Sequence, residues 1–283
     1  MLLQKPEWLK IRPPTEHFLD LKKILKENKL HTVCEESHCP NISECWSGGT
    51  ATFMVLGDTC TRGCRFCHVK SGYPKTPPDP NEPAHLAQAV TQMKLDYVVI
   101  TSVDRDDLAD QGSSHFAACI KAIKQLSPSI HVEVLIPDFR GNKECIKTIV
   151  EAHPDVIAHN LETVKRLQGK VRDHRANYEQ SLSVLKTVKE LNPKIYTKSA
   201  LMLGLGEGKE ELLEAFTDLR AINTDILTLG QYLQPTPKHL PVAEFIHPDV
   251  FAKYKEAGLS KGFRYVGSGP LVRSSYHAEK HVF

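Results

Sequence analysis

The chain has 283 residues, 41% hydrophobic and 25% charged, which is the composition of an ordinary globular protein. Its formal net charge of +2 predicts neither a nucleic-acid-binding surface nor an acidic tail. No apolar run approaches the roughly 20 residues that a membrane span needs, and Pro6 and Glu7 interrupt the N-terminus before a signal peptide could form. We therefore expect a cytoplasmic protein that binds neither nucleic acid nor membranes, with a removed transit peptide as the alternative.

Helical and strand patterns alternate along most of the chain. A helix is predicted over residues 15–29, and a helix near 248–261 with a short "FRYVG" strand ends the pattern. Between them, the predicted strands cover residues 51–57, 97–102, 131–137, 155–160, 195–203 and 225–233. The predicted crossover helices cover residues 82–95, 113–126, 142–152, 176–191 and 209–222.

Six βα units with short connections predict a parallel α/β sheet, because each helical crossover returns the chain in the same direction. The pattern alone leaves an open doubly wound sheet and a partial barrel both possible. Residues 1–50 and roughly the last 40 residues lie outside the βα pattern. We expect these two ends to cover one end of a barrel. The segment "GLGEGKEE" (204–211) departs from both phosphate-binding templates, and we interpret it as a glycine turn that opens a helix.

The eight cysteines form two triplets and two single residues. Clustered cysteines in a reducing compartment more often bind metal or do chemistry than form disulfides. The first triplet is Cys34, Cys39 and Cys45, and the second is Cys60, Cys64 and Cys67. The single residues Cys119 and Cys145 each share a helical face with apolar residues, so we predict that both belong to the core.

The second triplet directly follows the first predicted strand, where a parallel barrel places its active site. Three thiolates are one ligand short of a closed zinc site or a fully ligated [4Fe–4S] cube. The spacing in "CTRGCRFC" (60–67) resembles the radical S-adenosylmethionine (SAM) superfamily. The resemblance implies a [4Fe–4S] cluster whose open iron is chelated by SAM and which cleaves SAM to a carbon radical. Zinc with His68 as a fourth ligand is the alternative.

The first triplet narrows the resemblance, because "CEESHCPNISECW" (34–46) resembles the lipoyl synthases within that superfamily. The departures are His68, Ala200 and "DQG" (110–112), where the family commonly has an acidic residue, a glycine and a Gly-Gly pair; they leave substrate contacts open. The similarity continues through "GTATFMVLGDTCTRGCRFC" (49–67), "VVITSVDRDDL" (98–108), "HNLETV" (159–164), "TKSALMLGLGE" (197–207), "GQYLQPTPKHLPV" (230–242) and "VRSSYHAEK" (272–280).

The resemblance implies insertion of two sulfur atoms at carbons 6 and 8 of an octanoyl chain carried on a protein lysine. No side-chain base can remove a proton from such unactivated carbon, so the cofactor carries that step. A second, auxiliary [4Fe–4S] cluster on Cys34, Cys39 and Cys45 is implied as the sulfur donor, and two SAM molecules are cleaved per lipoyl group. The implied partners are octanoylated carrier domains of 2-oxoacid dehydrogenase acyltransferase subunits, the glycine-cleavage H protein, an electron donor such as flavodoxin or ferredoxin, and an iron–sulfur carrier protein.

The same resemblance selects a fold and further site residues. It implies a partial (β/α)6 barrel of the TIM type over residues 51–240. Residues 1–50 then form an N-terminal extension and residues 241–283 a C-terminal one, both covering the carboxyl end of the barrel. Asn160 and Glu162 are implied to contact SAM, and Arg105 and Asp106 to shape its pocket.

The C-terminal "RSSYH" (273–277) offers two hydroxyls for the fourth position of the auxiliary cluster. Serine oxygen is a weaker partner for iron than a thiolate, as a cluster that is consumed would need. A helix cap or turn is the commoner use of such a serine pair, but given the family resemblance we predict ligation, by Ser275 rather than Ser274.

Two other functions fit parts of the pattern. A related two-cluster enzyme could insert sulfur into RNA or a ribosomal protein, although an appended recognition domain would be expected. A zinc-binding barrel without a redox role is the alternative from another class.

Overall fold

The computed structural model describes residues 5–9, 16–28, 30–37, 39–47 and 52–281. The strands are β1 His31–Thr32, β2 Thr52–Val55, β3 Thr59–Cys60, β4 Lys70–Ser71, β5 Tyr97–Ser102, β6 His131–Leu135, β7 Val156–Ala158, β8 Tyr196–Leu203, β9 Ile226–Gln231 and β10 Tyr265–Ser268. The helices are α1 Glu16–Glu27, α2 Val33–Glu36, α3 Ile42–Ser47, α4 Glu82–Gln92, α5 Ser113–Leu126, α6 Lys143–Val150, α7 Gln168–Val171, α8 Tyr178–Leu191, α9 Lys209–Ala221 and α10 Pro248–Ser260.

The main sheet has eight strands in the order β1-β2-β5-β6-β7-β8-β9-β10. Every neighbouring pair from β2 to β10 is parallel, while β1 is antiparallel to β2. Within the described residues, β1 and β10 end the strand order without pairing to each other, as in a barrel that does not close. The α/β partial-barrel prediction is confirmed.

Each predicted strand and crossover helix is present. The limits of β5 and α5 coincide with the predicted 97–102 and 113–126. Sequence analysis missed β1, β3, β4, α2, α3 and α7, which have two to six residues each and are too short to show a hydrophobic period.

The core lies between the sheet and its helices. All four residues of β2 and all six of β9 are buried, as expected for parallel strands covered on both faces. Cys119 and Cys145 are 0% and 4% exposed, which confirms that both are core residues.

The barrel interior also contains a buried ion pair. Lys198 Nζ lies 2.6 Å from Glu133 Oε1, and the two side chains are 0% and 1% exposed. Tyr97 donates its hydroxyl hydrogen to the other Glu133 oxygen at 2.6 Å. The Glu133 carboxylate thus forms one ion pair and accepts one hydroxyl hydrogen bond. A buried charge needs such pairing, because its transfer from water is otherwise very costly.

The N-terminal segment joins the barrel through the edge strand β1, which pairs with β2, and within the segment α1 packs on α3. The rings of Phe18 and Trp46 lie 4.9 Å apart, and Trp46 is fully buried. The proposed boundary between residues 50 and 51 lies outside the described residues, so the division into three parts stays a prediction.

The C-terminal tail contacts the strands at both their carboxyl ends and their amino ends. At the carboxyl end of β9, the Gln231 amide donates to Pro270 O. Further along the tail, Ser275 contacts Thr52, the first residue of β2, and Ala278 packs in a buried cluster with Tyr97, the first residue of β5. The expectation that this extension covers the carboxyl end therefore holds only for its start, because the tail continues to the amino ends of the strands.

The turn after β8 confirms the interpretation of "GLGEGKEE" as a glycine turn. Gly204 has φ +95°, and a Cβ there would collide with Glu244 O and the Gln231 side chain. Glu207 accepts hydrogen bonds from the Gly204 and Leu205 amides, and α9 begins shortly afterwards. In the described part of the chain, no helix is long and apolar enough to cross a membrane.

Candidate active site

Both cysteine triplets border one cavity of about 510 Å³ inside the barrel. All three cysteines of the second triplet line it, together with residues of β2, β5, β6, β8 and β9. Cys34 and Cys39 of the first triplet also line it. The two motifs, separate in sequence, therefore face a shared space.

Cys60 ends strand β3, and Cys64 and Cys67 lie on the loop between β3 and its paired strand β4. Thr59 and Cys60 pair with Lys70 and Ser71, and the Gly72 amide donates to Cys60 O at 2.9 Å. This two-stranded pairing closes the base of the loop.

Arg62, inside the loop, holds it to the barrel. Its guanidinium donates to both oxygens of Asp106 at 3.0 Å and to both oxygens of Asp138 at 2.6 and 2.7 Å. Its Nε also lies 3.2 Å from Asp104 Oδ1. Arg62, Asp106 and Asp138 are 3%, 4% and 0% exposed as side chains, so these are buried, charge-assisted bonds.

Another carboxylate, that of Asp173, anchors the next part of the loop. Asp173 accepts from the Gly63 amide at 2.9 Å and is held by Arg175 Nε at 2.7 Å. Hydrogen bonds from Arg175 keep the pKa of Asp173 below its usual value. The loop is therefore fixed by side chains that follow β5, β6 and β7.

Backbone amides point at the sulfur atoms of this triplet. The amides of Arg62 and Asp104 each lie 3.4 Å from Cys60 Sγ, and the Asp173 amide lies 3.3 Å from Cys64 Sγ. Burial raises the pKa of the Cys60 and Cys67 thiols to about 12 and that of Cys64 to about 11. These three cysteines would therefore become thiolate ligands only beside a positive partner such as a metal centre.

Asn160 and Glu162 follow β7 and line the same cavity. Asn160 Nδ2 donates to Glu162 Oε1 at 3.1 Å, while Asn160 Oδ1 is buried and has no hydrogen-bond partner among the described residues. Burial raises the pKa of Glu162. A buried, unsatisfied acceptor beside a carboxyl group is suited to a ligand that brings N–H or O–H donors.

Arg105 and Asp106 lie behind the cavity rather than in its lining. Arg105 is 3% exposed and donates to Asp107, to Leu56 O and to Thr76 O. Asp106 accepts from Arg62, as described above. Arg105 and Asp106 therefore shape the site indirectly, because they hold neighbouring segments in place and do not line the cavity themselves.

The first triplet borders a second, smaller cavity. Cys34, Cys39 and Cys45 line it together with Ser275 and Arg273, whereas Ser274 is absent from its lining. Ser275 Oγ accepts a hydrogen bond from Thr52 at 2.8 Å. Of the two serines, Ser275 is thus the one placed with all three cysteines.

The electrostatics of this triplet are similar to those of the second. Burial raises the pKa of Cys34 to about 11 and of Cys45 to about 12, and it also raises the pKa of Cys39. Arg273 lines both cavities, and its charge favours the thiolate of Cys39. His68, considered as a zinc ligand, lines the large cavity with its Nδ1 2.9 Å from Glu36 O.

Sequence reasoning missed Arg62, Asp138, Asp173 and Arg273. One signal was available, since Arg62 stands inside the cysteine motif itself. The carboxylates follow strands that are adjacent only in the folded sheet, and no spacing in the sequence indicates which cation each one meets.

Comparison with known proteins places the chain in a family. A model of the radical SAM superfamily matches residues 54–219. The lipoyl synthase of Anaeromyxobacter sp. (strain Fw109-5) is 56% identical, covering 98% of this chain and 95% of that protein. A chloroplastic lipoyl synthase of Ricinus communis is 59% identical over 98% of this chain and 78% of its own length. A mitochondrial lipoyl synthase of Populus trichocarpa is 54% identical over 98% and 74%.

Solved structures agree in fold. Methylornithine synthase is 11% identical with a TM-score of 0.58, covering 88% of this chain and 74% of that one. The FeFe-hydrogenase maturase of Carboxydothermus hydrogenoformans is 15% identical with a TM-score of 0.57, covering 88% and 56%.

Proposed function

This chain belongs to the lipoyl synthase family of the radical SAM superfamily, and from that premise we propose how its own residues perform the reaction. As a lipoyl synthase it is a sulfur-inserting enzyme. We propose that it converts a protein-bound octanoyl-lysine to lipoyl-lysine. The alternatives of an RNA- or ribosomal-protein-directed enzyme and of a zinc scaffold have no support from these relatives.

One observation carries the proposal: a single cavity of about 510 Å³ is lined by all three cysteines of the second triplet and by Cys34 and Cys39 of the first. A radical formed beside the second triplet would therefore share one cavity with a sulfur donor held by the first. Met54, Leu135 and Met202 supply apolar lining that suits an alkyl chain.

We propose that Cys60, Cys64 and Cys67 hold the radical SAM [4Fe–4S] cluster. The backbone amides near Cys60 and Cys64 stabilise thiolate charge, and the buried Arg62 anchors keep the loop in place. Together, the two clusters and SAM supply a carbon radical that takes hydrogen atoms from unactivated carbon, and the sulfur that replaces them.

Asn160 and Glu162 are proposed to bind SAM. The unsatisfied Asn160 Oδ1 offers an acceptor, and the Glu162 carboxyl group lines the same cavity. SAM carries an ammonium group and ribose hydroxyls, which are donors of the kind that these oxygens need.

Cys34, Cys39, Cys45 and Ser275 are proposed to hold the auxiliary [4Fe–4S] cluster. Support comes from the cavity that all four side chains line and from the neighbouring Arg273, whose charge favours an anionic group. Ser275 is a hydroxyl ligand among thiolates, and its weaker bond to iron suits a ligand that must be released.

Neither triplet has the spacing of a mononuclear zinc site. In the described ranges, neither has its three ligand atoms within 4.8 Å of one another. Zn–S bonds of about 2.3 Å in a tetrahedron would bring sulfur atoms about 3.8 Å apart. The wider spacing favours a polynuclear cluster at both sites.

The partners follow from the proposed reaction. Octanoylated carrier domains are the substrate, and a flavodoxin- or ferredoxin-type reductant and an iron–sulfur carrier protein are proposed to supply electrons and to rebuild the auxiliary cluster. The cytoplasmic location stays a prediction, since the relatives' names include mitochondrial and chloroplastic enzymes.

The proposal is tested by anaerobic incubation of the enzyme with SAM, a strong reductant and an octanoyl-lysyl peptide. Mass spectrometry should show a product with two added sulfur atoms and two SAM molecules cleaved for each product formed. SAM cleavage without sulfur in the peptide would contradict the proposed role of the first triplet. A peptide that stays unchanged with no SAM cleaved would contradict the whole assignment.

A further inference from the structure

The chain makes an unusual turn between β2 and the cysteine loop. Leu56 has φ +71° and Gly57 has φ +93°, both in the left-handed region. A residue with a bulky side chain rarely adopts this conformation unless its surroundings hold it there. Leu56 is 2% exposed and lies four residues before Cys60.

A buried carboxylate holds the amide of this turn. Glu82, the first residue of α4, accepts the Leu56 N–H at Oε2 over 2.9 Å and is 8% exposed. The same oxygen lies 2.7 Å from His115 Nε2 on α5. Because a carboxylate oxygen only accepts, Nε2 is the donor, and His115 fixes the orientation of Glu82.

Two further contacts hold Leu56. Arg105 Nη1 donates to Leu56 O at 3.2 Å, so the two backbone polar groups of Leu56 are bound by side chains from different segments. The Leu56 side chain packs so closely on Gly112 that a Cβ there would collide with it. Contacts from three separate segments, at Glu82, Arg105 and Gly112, therefore hold Leu56 in this turn.

We propose that Glu82, oriented by His115, is a positioning residue that fixes the Leu56 turn and thereby the direction in which the loop of Cys60, Cys64 and Cys67 leaves β2. The inference rests on the proposed cluster at these cysteines. It assigns to the Glu82–His115 pair a role in placing the open side of that cluster against the SAM-binding residues.

The Glu82–His115 pair has a competing interpretation as part of a metal site. The ligand atoms of Glu82, His115 and Cys119 all lie within 4.8 Å of one another and could hold a metal ion. Glu82 Oε2 already accepts from two N–H donors. A metal at that oxygen would displace the His115 hydrogen bond, so we argue for the positioning role.

The test compares Glu82→Ala with Glu82→Gln. The amide oxygen of glutamine can still accept from Leu56 and His115, whereas alanine leaves the Leu56 amide buried without a partner. Asp155→Ala is the matched control, because Asp155 likewise accepts hydrogen bonds from a backbone amide, that of Val132 at 2.8 Å, and from a side-chain N–H donor, Lys124 Nζ at 2.9 Å. Asp155 directly precedes β7, at the opposite end of the strands from the cysteine loop.

Two readouts separate positioning from general destabilisation. Hydrogen exchange of the full-length protein should show the Leu56 amide exchanging about tenfold or more faster in Glu82→Ala, and unchanged in Glu82→Gln and Asp155→Ala. In the enzyme carrying its clusters, Glu82→Ala should raise the KM for SAM about tenfold and weaken the SAM-induced change in the electron paramagnetic resonance signal of the reduced radical SAM cluster. Glu82→Gln should restore both to within about twofold of the wild type.

Unchanged Leu56 exchange in Glu82→Ala would overturn the inference, as would an equal rise in KM in Asp155→Ala. A stoichiometric non-iron metal that Cys119→Ala removes would overturn it in favour of a metal site. If the wild-type enzyme forms no lipoyl product, the proposed function fails, and the exchange measurement alone then decides whether Glu82 holds the turn.

Discussion

Replacing Arg62 with alanine should destabilise the fold by about 3–5 kcal/mol, the usual cost of removing one partner from a buried ion pair. Four hydrogen bonds to Asp106 and Asp138, which are 4% and 0% exposed, are lost at once. Among the described residues, Asp106 then keeps ion pairs only with the more exposed Arg140 and Arg175. Arg62→Lys should cost less, about 1–3 kcal/mol, because the charge remains but one ammonium group cannot bond both carboxylates in the same fork geometry.

The measurement is urea unfolding of the full-length chain without its clusters, followed by circular dichroism. Arg65→Ala is the matched control, since Arg65 lies in the same cysteine loop, is exposed, and its side chain bonds only to Lys170 O at 3.4 Å among the described contacts. It should change the free energy of unfolding by less than about 0.5 kcal/mol.

The loss should also depend on pH. Burial alone would raise the pKa of Asp138, but the hydrogen bonds from Arg62 keep it below its usual value. In the wild type, the ionised Asp138 contributes to the free energy of unfolding above its unfolded-state pKa of about 4. This stabilisation is lost as the pH falls through the lower pKa that Asp138 has in the folded protein. In Arg62→Ala the folded pKa should lie above the unfolded one, so the deficit shrinks as the pH falls from about 7 to about 4. A deficit below about 1 kcal/mol, or one that is constant with pH, would refute the reasoning.

Three further predictions concern the cysteines, the serine and the barrel interior. Cys64→Ala should abolish reductive SAM cleavage, whereas Cys39→Ala should keep detectable cleavage by chromatography and end sulfur insertion; equal loss in both would contradict the division of labour. Ser275→Ala should cleave SAM but form little or no lipoyl peptide by mass spectrometry, and Ser274→Ala should stay active; the reverse result would move the ligand by one residue. Lys198→Ala should lower the free energy of unfolding by about 3–5 kcal/mol in urea titrations, because it leaves Glu133 charged and buried, and a loss under 1 kcal/mol would show that water replaces the lysine.

The sequence determined the order of elements and the class of chemistry. Strand and helix periods are local, so β5 and α5 could be delimited from their own residues. Cysteine spacing is equally local, and it identified both triplets. The two single cysteines were separated from them by the apolar helical faces on which they lie, and the structure confirms that these are core residues.

Only the tertiary structure decided how distant groups meet. Ser275 lies beside Thr52, 223 residues away in the chain, and Arg62 bonds Asp138 across 76 residues. Such pairs depend on which strands are neighbours and on the register of each pair, and neither is encoded by a period within one segment.

The left-handed Leu56 is the clearest case of this limit. Its own residue type argues against such a backbone, and the conformation exists because Glu82, Arg105 and Gly112 arrive from other elements to hold it. The sequence placed a cysteine motif after the first barrel strand, but the direction of that motif is fixed by hydrogen bonds that form only once the helices have packed on the sheet.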